Sequence, residues 1–176
     1  MKKLLTVLII GILNFSEGLS QQGVHSLGAG PAMGFPAFNQ NFSYYYKNGM
    51  GGALQANFGV TKLGSVTVHF IHLSIGDKQP PVSKTSLTFF KAGYRTHFLD
   101  SRFFVGADAG LAEYGSFNLA NGNLVLGGTI GYSFKVSKSS YIDLFPSYNQ
   151  ILGTGNNSMW LTANVLYRFN LTKKNK

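Results

Sequence analysis

The chain has 176 residues, no Cys, only 12% charged residues and a formal net charge of +9; Gly numbers 22, Phe 15 and Tyr 9. The lack of Cys excludes a disulfide framework, a thiolate metal site and a lipidated N-terminal Cys, and a charged fraction half the roughly 25% of a soluble domain leaves too little charge to cover a water-facing surface. Nucleic acid as a partner would need Lys and Arg gathered on one face, but here they are spread apart from Lys173, Lys174 and Lys176, so the basic excess suits anionic lipid headgroups better.

Residues 1–20 have the pattern of an export signal: Lys2 and Lys3 precede an apolar run from Leu4 to Leu13, and Gly18 and Ser20 supply the small residues before a cleavage site at Gln21. The apolar run is about half the roughly 20 residues that span a bilayer as a helix. One domain, 21–176, is expected to follow.

From Gln21 onward the dominant signal is period-two alternation in segments separated by turn-forming clusters. Eight strands are expected, near Val24 to Phe35, Met50 to Val60, Ser65 to Gly76, Thr85 to Phe98, Phe103 to Tyr114, Asn123 to Val136, Tyr141 to Leu152 and Met159 to Leu171. In the sixth, Leu124, Leu126, Ile130, Tyr132 and Phe134 alternate with Asn123, Gly127, Thr129, Gly131 and Ser133. Pro31 and Pro146 fall inside strands, where each removes a ladder donor and calls for a bulge or a break in pairing.

A soluble barrel would turn the apolar set inward and cover its outside with Lys and Glu. Here the other parity is mostly Gly, Ala, Ser, Thr and Asn, which suits the crowded interior of a small barrel whose apolar face meets lipid. The connections alternate in the same sense. Those at Thr61 to Gly64, Leu99 to Arg102 and Ser137 to Ser140 are tight, whereas Pro36 to Gly49, Asp77 to Lys84, Gly115 to Gly122 and Gly153 to Ser158 are longer and more polar. Short periplasmic turns, long extracellular loops and an even strand number describe an outer-membrane barrel. Tyr44 to Tyr46, Phe98, Phe103, Tyr141, Trp160 and Phe169, near segment ends, suit its interfacial girdles.

The run Lys91-Ala92-Gly93-Tyr94-Arg95, the run from Leu99 through Gly110, and the closing Ala163-Asn164-Val165-Leu166-Tyr167-Arg168-Phe169 resemble the small outer-membrane β-barrel domain proteins of Gram-negative bacteria. The resemblance implies an all-β, eight-stranded, antiparallel, up-and-down transmembrane barrel in the cell outer membrane. It also implies recognition by the barrel-assembly machinery through a C-terminal aromatic residue, a pattern this chain departs from by continuing from Asn170 to Lys176.

His72 and Ser74 share one strand face, so the imidazole could serve the hydroxyl as a base. Outer-membrane lipid A deacylases resemble this His-x-Ser arrangement, but the Asn after their nucleophile is Ile75 here, and their orienting Glu is absent, with Ser86 in the region. The plainer reading is a pair of polar groups at the interfacial end of a strand. His25, His69, His72 and His97 lack carboxylates at ligand spacing, so no metal is expected. Gly28, Gly30 and Gly34 alternate on one face beside Pro31 and Pro36 and mark packing space rather than a phosphate loop.

Parity gathers Lys91, Arg95, Lys135 and Arg168 with Asp108 and Asp143 in the lumen, beside Gln55, Asn57, His69, Asn149 and Asn164. Charges held out of bulk water need partners, so each Asp should engage a basic group. The interior of eight strands is just wide enough for side chains to fill it. The expected role is therefore that of a non-conducting integral protein, structural, adhesive or accessory, acting through its extracellular loops without a cofactor. Tyr44, Tyr45 and Tyr46 are the loop residues best suited to a protein or glycan ligand, unless they continue a girdle. Membrane lipid and lipopolysaccharide are the other expected partners. The alternatives are a lipid A deacylase-like hydrolase using His72 and Ser74, and a periplasmic lipid-binding barrel with its faces reversed.

Overall fold

β-Branched and aromatic residues on one parity and turn residues between the segments leave the chain one regular structure to form, the strand. The computed structural model describes residues 25–37, 46–61, 63–76, 84–98, 102–115, 122–153 and 158–171. It contains eight strands: β1 (Ser26–Ala37), β2 (Gly49–Gly59), β3 (Gly64–Gly76), β4 (Lys84–His97), β5 (Phe103–Tyr114), β6 (Asn123–Lys135), β7 (Ser140–Leu152) and β8 (Ser158–Asn170). Every sequential pair is antiparallel, and β8 closes on β1. The proposed export signal, residues 1–20, lies outside the described residues, as do Lys173, Lys174 and Lys176.

The stagger follows from one row of paired residues. Starting at Trp160, it passes through Asn149, Gly127, Asp108, Gly93, Thr67, Asn57 and Ser26 and returns to β8 at Asn170, ten residues further along. Eight strands with that offset tilt steeply, within the roughly 35–45° usual for barrels. No bulge accompanies either proline. Pairing of β1 with β8 skips Gly30 and Pro31, that of β6 with β7 skips Ile130 and Gly131, and the register is the same on both sides of each gap. A missing donor therefore costs local hydrogen bonds without displacing the strand.

The outward parity carries Leu27, Met33, Leu54, Phe103, Leu126, Ile130, Phe134, Val165, Tyr167 and Phe169, all exposed. On β6 this apolar face runs from Leu124 to Phe134. At about 3.4 Å per residue and roughly 40° of tilt it rises about 26 Å, which matches the ~25 Å lipid-facing band of an outer-membrane barrel. Phe98, Phe103 and Phe169 stand exposed at its periplasmic rim. Trp160 and Tyr141 do not belong to a girdle. Trp160 has the inward parity and is wholly buried, donating its indole N–H to Tyr114 Oη at 2.9 Å, and the Tyr141 ring lies 4.5 Å beneath the Arg168 guanidinium.

Inside, the expected slender and polar filling occupies only part of the barrel. Toward the extracellular end the inward positions are Ile71, Leu73, Ile75, Leu87, Phe89, Val125, Ile151 and Trp160, none more than 2% exposed. Small groups would leave a void there, and an apolar void loses contacts without admitting water. Gly131 supplies the opposite condition lower down. A Cβ there would stand 2.3 Å from Phe104 Cζ and 2.6 Å from Phe145 Cβ, because these two rings pack edge to face across it. Gly131→Ala should thus destabilise the barrel by about 1–3 kcal/mol through overpacking, while Gly128→Ala, whose Cβ would meet nothing within 4 Å, should stay within about 0.5 kcal/mol. Urea unfolding in detergent micelles, followed by the fluorescence of the single Trp, distinguishes the two.

Candidate functional site: a closed lumen and a polar outer rim

The lumen charges come from four strands, β4, β5, β7 and β8, brought to one interior by the stagger. Lys91 of β4 is fully buried, and its ammonium lies 2.9 and 3.1 Å from the two Asp108 oxygens of β5 while donating to Asn149 Oδ1 at 2.6 Å. The amide of Asn149 donates in turn to the Trp160 carbonyl and Thr162 Oγ1. Gly127 makes room for the pair, since a Cβ there would stand 2.0 Å from Asp108 Oδ1.

Nearer the periplasmic end, Asp143 is shared by two arginines. Arg95 Nη1 donates to its Oδ2 at 3.0 Å, and Arg168 reaches both oxygens, Nε to Oδ2 at 2.8 Å and Nη2 to Oδ1 at 3.3 Å. Arg95 also donates to Gln55 Oε1 and lies 3.8 Å over the Phe104 ring. Gln55, Asn57 and Ser26 continue the chain of hydrogen bonds across β2 to β1. His69 meets the edge of Phe145, and Asn164 donates to the Phe145 carbonyl. Lys135 has the lumen parity but takes no part in these ion pairs, because it is the last residue of β6 and its side chain is exposed at the rim.

At the other end Tyr114 Oη bridges Ser158 Oγ at 3.0 Å and Trp160 Nε1, and Tyr46 stacks on the Tyr114 ring at 5.8 Å. Tyr46 therefore packs against the upper end of the core. Tyr44 and Tyr45 lie outside the described residues.

His72 and Ser74 are both exposed on the outer wall of β3, where the polarity of the faces inverts: Ile71, Leu73 and Ile75 point in and the polar pair points out. His72 Nδ1 lies 2.9 Å from Thr88 Oγ1, so the ring is engaged with its cross-strand neighbour. The register also sets Ser74 opposite Ser86, and Glu113 opposite Thr88 on its far side. Sequence distance hides this row, because 72, 88 and 113 become neighbours only through two strand registers. The arrangement is a polar interfacial rim, and the hydrolase reading is not favoured by it. The reversed-face lipid-binding barrel is not favoured either: its cavity would occupy the space that Trp160, Phe89 and the ion pairs fill. Among the described residues no three His, Asp or Glu converge as metal ligands.

Removing Asp143 would leave two buried guanidinium groups without their carboxylate. Asp143→Ala should cost about 3–5 kcal/mol, and Asp108→Ala the lower part of that range because Asn149 still accepts from Lys91. Lys135→Ala should change stability by no more than about 0.5 kcal/mol, read by the same unfolding titration.

No protein-family model and no curated protein matches the chain. Solved structures do. Neisserial surface protein A superposes with a TM-score of 0.67 at 16% identity, over 84% of this chain and 97% of that one. Ail, the attachment invasion locus protein of Yersinia pestis, gives 0.54 at 17% identity over 85% and 99%, and the outer membrane protein OprG from Pseudomonas aeruginosa gives 0.52 at 10% over 85% and 93%. At these identities the likeness is one of fold, and the fold of this chain is that of the small eight-stranded outer-membrane β-barrels.

Proposed function

We propose that the chain is an integral outer-membrane barrel that conducts nothing and acts at the cell surface through its loops, in a structural, adhesive or accessory role. The observation that carries this reading is the filled lumen. An apolar layer from Ile71 to Trp160 lies above an ion-pair layer, and both are buried. With no path through the barrel, the parts left to meet a partner are the wall, which faces lipid and lipopolysaccharide, and the four longer connections.

In this reading residues 1–20 direct export and are removed, the barrel-assembly machinery inserts the remainder, and His72 and Ser74 are interfacial polar groups without a chemical step. The loop ligand is a protein or a glycan recognised around Tyr44, Tyr45 and Tyr46. A glycan of anionic character fits the basic chain, and Ail, which shares the fold, has been solved with the heparin analogue sucrose octasulfate.

The purified full chain in planar bilayers should show no stable conductance, and cells displaying it should be retained on immobilised heparin until residues 38–45 are replaced by a Gly-Ser segment. A steady porin-sized current would overturn the closed lumen. Retention that survives the replacement would remove the first loop from the binding role.

A further inference from the structure

We propose that the periplasmic mouth of the lumen is a binding site for a compact oxyanion, a phosphate or carboxylate group. The charges of the interior do not balance. Lys91 and Asp108 pair one to one, whereas the single carboxylate of Asp143 serves both Arg95 and Arg168. Among the described residues of the interior one unit of positive charge is left over, and it lies at one end of the barrel. Arg95 is only 3% exposed and Arg168 side chain 11%, so bulk water screens this excess poorly, and a buried charge without a counter-charge is costly.

Beside the two arginines is a cavity of about 80 Å³ that opens at the β2–β3 turn and is lined by Arg95, Arg168, His97, Asn57, Ser65 and Thr61. Its size suits one phosphate-sized group. The donors suit an oxyanion as well. Arg95 commits one N–H to Asp143 and one to Gln55 out of the five a guanidinium carries; Phe104 and Phe145 flank its face, which holds the fork in one orientation. A planar guanidinium presented in that way favours carboxylate and phosphate oxygens over a spherical halide. Which side of the membrane the mouth faces rests on the function proposed above; the anion chemistry does not.

The test uses the full chain refolded in an uncharged detergent, titrated with inorganic phosphate and, separately, with acetate, each against sodium chloride of equal ionic strength. Binding is read by calorimetry and, for phosphate, by ³¹P line broadening. The wild type should bind at least one of the two oxyanions saturably, and which one distinguishes a phosphate source from a carboxylate source. Arg168→Gln should weaken binding about tenfold or more, the loss of a charge-assisted hydrogen bond worth at least about 1.4 kcal/mol. It leaves Asp143 neutralised by Arg95, so the barrel still closes. Ser65→Leu, which fills the cavity and keeps every charge, should abolish saturation, and Lys138→Gln on the exposed β6–β7 turn should bind as the wild type does. Binding of neither anion beyond the chloride control, equal binding by Arg168→Gln, or equal loss in Lys138→Gln would each overturn the proposal. Failure here leaves the conductance result untouched, so the two readings fall separately.

Discussion

Every backbone N–H and C=O within the hydrocarbon must find its partner inside the protein, because lipid offers none. A sheet meets that demand only by closing, and closing eight strands with a ten-residue stagger sets the interior volume before any function is considered. Side chains must then fill that volume. This protein fills it with two kinds of material. Ile71, Leu73, Leu87, Phe89 and Trp160 occupy the extracellular part by bulk, and Lys91, Asp108, Arg95, Asp143 and Arg168 occupy the rest by pairing. Small residues are placed where these groups need room, as Gly127 is beside the Lys91–Asp108 pair and Gly131 between Phe104 and Phe145.

The division has a consequence for the outer surface. On β3, β4 and β5 the inward positions become apolar near the extracellular end, and the outward ones become Ser74, His72, Ser86, Thr88 and Glu113. On β6, β8, β1 and β2 the outward face stays apolar to Leu124, Met159, Phe35 and Met50. The upper border of the barrel is thus uneven: β3 turns the exposed His72 and Ser74 outward, with Thr88 and Glu113 buried beside them on β4 and β5, whereas β6, β8, β1 and β2 stay apolar. His72 and Ser74 are the members of this row whose side chains are exposed, while Thr88 beneath the imidazole is buried.

The strands and their order are legible in the sequence because alternation and turn chemistry are local properties. Phe103 to Tyr114 is read to the residue, and the other boundaries fall within two. The stagger is not local. Which acid meets which base depends on it, so parity can gather Asp143, Arg95 and Arg168 without showing that one carboxylate serves both arginines. The same applies to Glu113, whose neighbour Thr88 is set by the β4–β5 register. Trp160 shows a different limit: proximity to a segment end suggests a girdle, but its parity turns it inward, and parity decides. Lys135 has the inward parity and lies too near the strand end for the interior to enclose it.

The account stands or falls on which face meets lipid. A cysteine-free chain admits single-cysteine spin labels without background, and β6 offers a long outward row from Leu124 to Phe134. Labels at Leu124, Leu126, Ile130, Tyr132 and Phe134, in bilayers, should collide freely with dissolved oxygen, and labels at Val125, Thr129 and Ser133 should be shielded, giving accessibility with a period of two. Accessibility that is uniform along the strand, or highest at Val125, Thr129 and Ser133, would contradict it.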